Sequence, residues 1–248
     1  MRILWVIAFT LLGGSAVMTA DTTSDFSDNP ITRFFSRTEQ PLREYRALRR
    51  MHAFTENSSK YEAWLDAWTE LKNGRFSYQI VSERGSDTVR SKVLRAVLAR
   101  EQELINSGNA EKGELIAANY DFAEAGRDAN GAPIVQIKPR RSDVLLVDGH
   151  AVLNERGELV RVEGKLAKNP SFWTSLVNIV RRYARIGGVR VPVATETTAK
   201  VKFVGTAQME VVYDYHSVNG RAVAVSELNV PPAPARTAAQ SDSSAVEK

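Results

Sequence analysis

The chain carries three histidines, His52, His150 and His216, and their spacing suits no shared chemistry. Two imidazoles that grip a metal from one helix face stand three or four residues apart, and no such pair occurs here. There is no Gly-x-Ser-x-Gly elbow. Gly13-Gly14 and Gly187-Gly188 do not build a phosphate-binding loop, the second pair standing between two β-rich runs. Glu103, Glu114, Asp121 and Glu124 supply carboxylates, but no pattern brings two of them to one cleft. A scattered Ser/His/Asp set stays open at this level. The absence of cysteine removes a thiol nucleophile, a cysteine-ligated metal and a lipid-modified N-terminal cysteine. The expectation is a protein that is not an enzyme, with no catalytic residue, metal or cofactor.

Arginine offers the other chemistry. Arg49-Arg50, Arg140-Arg141 and Arg181-Arg182 are adjacent pairs. Neighbours in a strand point to opposite faces, so one member of a pair can look inward and meet a phosphate or a carbonyl. The plainer expectation is a rim charge that discourages edge-to-edge pairing of sheets.

The elements that must hold these side chains are mostly strands. Tyr45 to Phe54 and Phe76 to Val81 alternate with period two. Leu115 to Phe122, Ile134 to Ile137, Val144 to Val147, Leu159 to Leu166, Phe172 to Tyr183, Val189 to Thr195, Lys200 to Val204 and Ala207 to Tyr215 are further β-rich runs. Asn130-Gly131, 154–157, Gly187-Gly188 and Asn219-Gly220 are turn signals between them, which describes an antiparallel meander. Thr88 to Ile105 places Val89, Val93, Leu94, Val97, Leu98, Leu104 and Ile105 at helical spacing and is read as the one long amphipathic helix. Tyr61 to Leu71 fits both periods. The strand before it and Asn57-Ser58-Ser59 favour a hairpin, so it is read as a strand.

The ends differ from this block. Residues 1–20 combine Arg2, an uncharged run from Ile3 to Leu12 and a small-residue exit at Thr19-Ala20, the pattern of a secretory signal peptide. That run is too short to span a bilayer. Residues 21–40 read as a flexible lead-in, 41–228 as one β domain, and 229–248, rich in Pro, Ala and Ser, as a disordered tail. The expected compartment is therefore the periplasm. Of the chain's net +4, Arg2 belongs to the leader, and the remaining charge is too mild and too dispersed for nucleic acid.

Three pieces in order carry a resemblance: Arg140-Arg141-Ser142-Asp143, Leu159 to Trp173 with Gly164 and Pro170, and Tyr183 to Pro192 with Gly187-Gly188. Together they resemble the LolA-like outer-membrane lipoprotein-sorting proteins, across Tyr45 to Gly220. The resemblance implies a mainly β fold with α (α+β): an antiparallel incomplete β-barrel of about eleven strands, closed over an apolar cavity by a helix. It also implies a periplasmic carrier or sensor of lipid-modified molecules, and the reading taken is a carrier for a lipid or the acylated end of a lipoprotein, expected to be a monomer. No binding residue transfers by motif. Physical reasoning supplies candidates, because an acyl chain in water costs about 0.8 kcal/mol per methylene and needs bulky, adaptable shelter. Met51, Trp64, Trp68, Phe76, Tyr78, Val97, Leu98 and Trp173 are the candidate lining, and plain core packing is the competing role for each. Two other functions stay open: a sensor or scaffold binding an envelope membrane protein, and an envelope hydrolase.

Overall fold

A computed structural model describes residues 30–37, 39–56 and 58–224. The leader, residues 21–29 of the lead-in and the Pro/Ala/Ser-rich tail lie outside the described residues. A short helix, α1 (Pro30–Ser36), precedes β1 (Tyr45–Thr55), β2 (Ser58–Lys72) and β3 (Arg75–Gly85). Residues 87–106 form α2, in which a π-helical stretch, Arg90–Leu94, separates α-helical Asp87–Val89 from Arg95–Asn106. A meander follows: β4 (Tyr120–Arg127), β5 (Pro133–Pro139), β6 (Val147–Leu153), β7 (Leu159–Leu166), β8 (Thr174–Ile186), β9 (Val189–Val201), β10 (Gly205–Val218) and the short β11 (Arg221–Ala222).

All pairings are antiparallel, and the spatial order is β3-β2-β1-β10-β9-β8-β7-β6-β5-β4, with β11 extending β10. The first hairpins thus join the far end of the meander, leaving β3 and β4 as the two unpaired edges. The chain between those edges is α2 and its trailing turns. A helix of residues 87–106 is about 30 Å long at 1.5 Å per residue, enough to bridge an open barrel. It lies across the inward face, and one apolar cluster contains Leu65, Leu71 and Phe76 of the sheet together with Leu94, Val97 and Leu98 of α2. The expected architecture, an open antiparallel barrel of eleven strands with a covering helix, is the observed one.

Local chemistry explains the joints. Asn73-Gly74 and Gly187-Gly188 both hold two successive positive φ angles, the type I′ geometry that suits two-residue hairpins. Gly149 and Gly164 face each other across β6 and β7, where an added Cβ would lie 2.1 Å or 2.3 Å from the opposite backbone oxygen. Only glycine permits that approach.

Several boundaries differ from the sequence reading. Residues 115–119 form turns, because the Asn119 side-chain amide donates to the carbonyls of Glu111 and Glu114, both at 2.8 Å. Val144 to Leu146 also turn, since an Asp143 carboxylate oxygen accepts the Leu145 N–H at 3.0 Å, so β6 begins at Val147. Val189 to Thr195 and Lys200 to Val201 belong to one strand, β9, and the chain turns at Lys202 to Val204. The lead-in contains α1, whose Phe34 and Phe35 pack on Phe122 of β4 with ring centres 6.4 and 4.7 Å away. This part of the lead-in is thus packed on β4.

Candidate functional site

The inward faces of β1 and β10 meet α2 around a buried charge. Strand alternation puts Tyr45, Ala47, Arg49, Met51 and Ala53 on the inner side of β1. Arg49 is fully buried. Its guanidinium grips both oxygens of Glu101 on α2, through Nη1 to Oε2 and through Nη2 to Oε1 at 2.9 Å. Nη2 also donates to the Tyr45 hydroxyl at 2.8 Å. The rings of Phe76 and Tyr213 lie 5.1 and 4.8 Å from the same guanidinium carbon. Burial opposes the Arg49 charge most strongly, but the Glu101 carboxylate together with the Tyr45 and Tyr213 hydroxyls outweighs it and holds the group protonated well above its usual range. Burial likewise pushes the Tyr45 phenol upward, and it pushes Tyr120, whose hydroxyl accepts the Val147 N–H, up to about 12.

Further polar links seat α2 along the β3 edge. Glu83 Oε1 accepts from Arg90 Nη1 at 2.9 Å, and Glu83 Oε2 accepts from Arg95 Nε at 2.9 Å. At the other end, Asn106 uses its side-chain amide as a strand would: it accepts the Phe76 N–H at 2.8 Å and donates to the Phe76 carbonyl at 3.1 Å. The unpaired edge of β3 is thereby capped at Phe76.

Where the N-terminal part of α2 meets the rim, a hollow of about 80 Å³ remains. It is lined by Ala53, Tyr61, Val89, Val93, Val201, Val204, Ala207 and Met209, with Thr88 and Lys92 at its side. The π-helical stretch of α2 supplies Lys92 and Val93 to this lining. Its volume is roughly half that of an engineered cavity that admits benzene, ~150 Å³. A short alkyl end fits; a full acyl chain does not while α2 is seated.

The eight candidate lining residues separate into three groups. Met51 and Phe76 of the sheet and Val97 and Leu98 of α2 meet in the buried core, and Tyr78 packs against it half-exposed. Met51 belongs to β1, one strand position from Ala53 on the same face as the hollow. Trp64 and Trp68 do not line the interior. They alternate with the buried Ala63, Leu65, Ala67 and Thr69 and so stand on the outer face of β2. There Trp64 stacks between His52 and Arg84, at 4.7 Å from the imidazole and 4.1 Å from the guanidinium, and Trp68 meets Arg46 and His216. Their indole rings suited a greasy lining by composition, but the phase of β2 gives the inner face to Ala63, Leu65, Ala67, Thr69 and Leu71. Trp173 lies at a loop tip beside Phe172 and Phe203, away from the inner face.

The arginine pairs also resolve. Arg49 and Arg181 look inward and are buried, while Arg50 and Arg182 look outward to Asp214 and Glu196. The rim expectation fails for these two pairs, and it fits Arg140, which meets Asp121 at the surface. Arg181 donates to the Thr195 hydroxyl at 3.3 Å on the inner face of β8 and β9. Sequence reading missed Glu101, although the signal existed: it falls in the stripe Leu94, Val97, Leu98, Leu104, Ile105, on the face that must be buried. His52 Nε2 lies 2.9 Å from Glu62 Oε1, with its ring also stacked on Phe54. Among the described residues, no group of three or more His, Cys, Asp and Glu is placed to hold a metal ion.

Neither protein-family models nor curated proteins provide a match to this chain. Among solved structures, a LolA superfamily protein from Nitrosomonas europaea is similar at 10% identity, with a TM-score of 0.41, covering 71% of this chain and 86% of that one. The likeness is one of fold.

Proposed function

We propose that this protein is a non-enzymatic carrier of a lipid or of the acylated end of a lipoprotein, working in the periplasm with α2 as its lid. The observation that carries the reading is the apolar hollow at the rim, opened between the sheet and the first turns of α2. An alkyl end lodged there starts with favourable contacts. The rest of a chain gains the inner face of β1, β2 and β10 only as α2 lifts. α2 is held by its buried apolar face, Leu94, Val97 and Leu98, as well as by charge pairs and amide hydrogen bonds, so an entering acyl chain must re-cover the apolar surface that lifting the helix exposes. A helix carrying a π stretch at this hinge suits such motion, since π turns concentrate where helices are asked to do something besides pack.

Titration with a fluorescently labelled acylated peptide tests the proposal. Saturation at one peptide per protein is expected, and the substitution Ala207→Phe, which fills the hollow, is expected to weaken binding at least tenfold. Binding that is absent, or unchanged by the filling substitution, would overturn it.

The outer face favours a second reading, a scaffold that docks an envelope protein. Arg50, His52, Trp64, Asp66, Arg84 and Glu210 line a groove of about 370 Å³ there. Co-purification of one stoichiometric protein, without lipid, would favour this reading over the carrier.

A further inference from the structure

The most exposed large apolar side chains of the described residues are Phe203 and Phe172, at 95% and 78%, and they occupy one place. The loop between β7 and β8 brings Phe172 and Trp173, and the turn between β9 and β10 brings Phe203. Trp173 ties them, with ring centres 5.6 Å from Phe172 and 6.0 Å from Phe203. The two loops are fixed to each other by the Lys202 N–H donating to the Trp173 carbonyl at 2.9 Å, and the Lys202 ammonium sits 3.6 Å from the Phe172 ring centre. Folding does not ask for these side chains. Phe203 holds a φ of 67°, a left-handed conformation that Gly or Asn adopts with less strain, and its ring stays exposed.

The two segments that build the tip carry charge of one sign, while Glu56 reaches the far side of the second turn, where its N–H donates to the Thr206 carbonyl. Segments 164–176 and 197–209 contain Lys165, Lys168, Lys200 and Lys202 and no Asp or Glu. Lys168, Lys200 and Lys202 are exposed. Aromatic rings with lysines beside them are the composition that settles at a bilayer surface: the rings enter the headgroup level while the ammonium groups meet lipid phosphates. Each lysine near an anionic surface adds about fivefold in affinity. A protein partner of ordinary composition would bring carboxylates for some of these lysines, but a ring cluster this open, on two short turns, offers such a partner no concave seat.

We propose that the tip formed by Phe172, Trp173 and Phe203, with Lys168, Lys200 and Lys202, docks the protein on the surface of an anionic lipid bilayer. The tip adjoins the rim hollow, whose lining includes Val201 and Val204 on either side of Lys202-Phe203. Docking therefore sets the mouth of the hollow against the membrane. The proposal stands apart from the carrier reading, since a scaffold could dock in the same way.

The full chain is mixed with vesicles of phosphatidylcholine containing phosphatidylglycerol, and with phosphatidylcholine alone. Trp173 is followed through quenching by lipids brominated on the acyl chain, with Trp173→Phe defining the signal from the other tryptophans. The expected result is Trp173 quenching that is stronger with the anionic vesicles. Phe172→Ser with Phe203→Asn should lower vesicle affinity at least tenfold without lowering the urea midpoint, because Asn suits the backbone at 203. Lys200→Glu with Lys202→Glu should abolish the preference for anionic lipid. Vesicle affinity unchanged by both double substitutions overturns the proposal, as does a Trp173 that brominated lipid does not quench. Acyl-peptide binding in solution is read separately, so failure here leaves the carrier reading to its own test.

Discussion

Arg49 and Glu101 decide how the interior is filled. A buried ion pair returns little net stability over well-packed apolar groups, yet removing one partner strands the other charge at a cost of about 3–5 kcal/mol. Glu101→Leu should therefore lower the urea-derived stability by about that amount, with Arg49 left facing apolar side chains. Arg49→Met combined with Glu101→Leu should regain most of the loss. A single substitution that costs nothing would show that the pair does not hold α2 as described. Half of this pair was legible in the sequence: alternation already set Arg49 on the side of Tyr45, Ala47 and Met51. Glu101 was hidden because a charge in an apolar stripe reads as an interruption until a partner for it is known. Trp64 and Trp68 misled for the opposite reason, since bulk suggested burial while their phase along β2 placed them outside.

The elements were read more surely where a period was long and unbroken. The helix expected over 88–105 is found over 87–106, with a π turn that no side-chain pattern announces. The hairpin reading of Tyr61 to Leu71 is correct, and β2 takes its inner residues from Ala63, Leu65, Ala67, Thr69 and Leu71. Strands were misplaced where a side chain competes with the backbone, at Asn119 and Asp143, whose hydrogen bonds turn apolar runs away from the sheet. In β9 the inward Thr195 and Thr197 broke the apolar alternation and made one strand look like two. The Gly149–Gly164 crossing belongs to this scale too. Gly149→Ala sets a Cβ 2.1 Å from the Glu163 carbonyl oxygen, so β6 and β7 must part. A loss of about 1–3 kcal/mol in urea unfolding is expected.

At the scale of the molecule, chain order alone did not disclose that β1 joins β10 and so leaves β3 and β4 as facing edges. That arrangement gives α2 its place, because the segment linking two edges of an open barrel must cross the opening. The interior expected to hold a whole hydrocarbon tail is largely occupied by Arg49, Phe76, Tyr213, Tyr215 and the apolar face of α2, and the remaining hollow is small. Carriage on this fold therefore requires a second arrangement in which α2 has withdrawn from the sheet. The most direct measurement is a native mass spectrum of the protein purified from its own host under conditions that keep apolar ligands bound. The account predicts a population heavier by one lipid or acyl-bearing species, with a larger collision cross-section than the unliganded protein because α2 is displaced. A single compact, ligand-free species that also takes up no acylated peptide would contradict it.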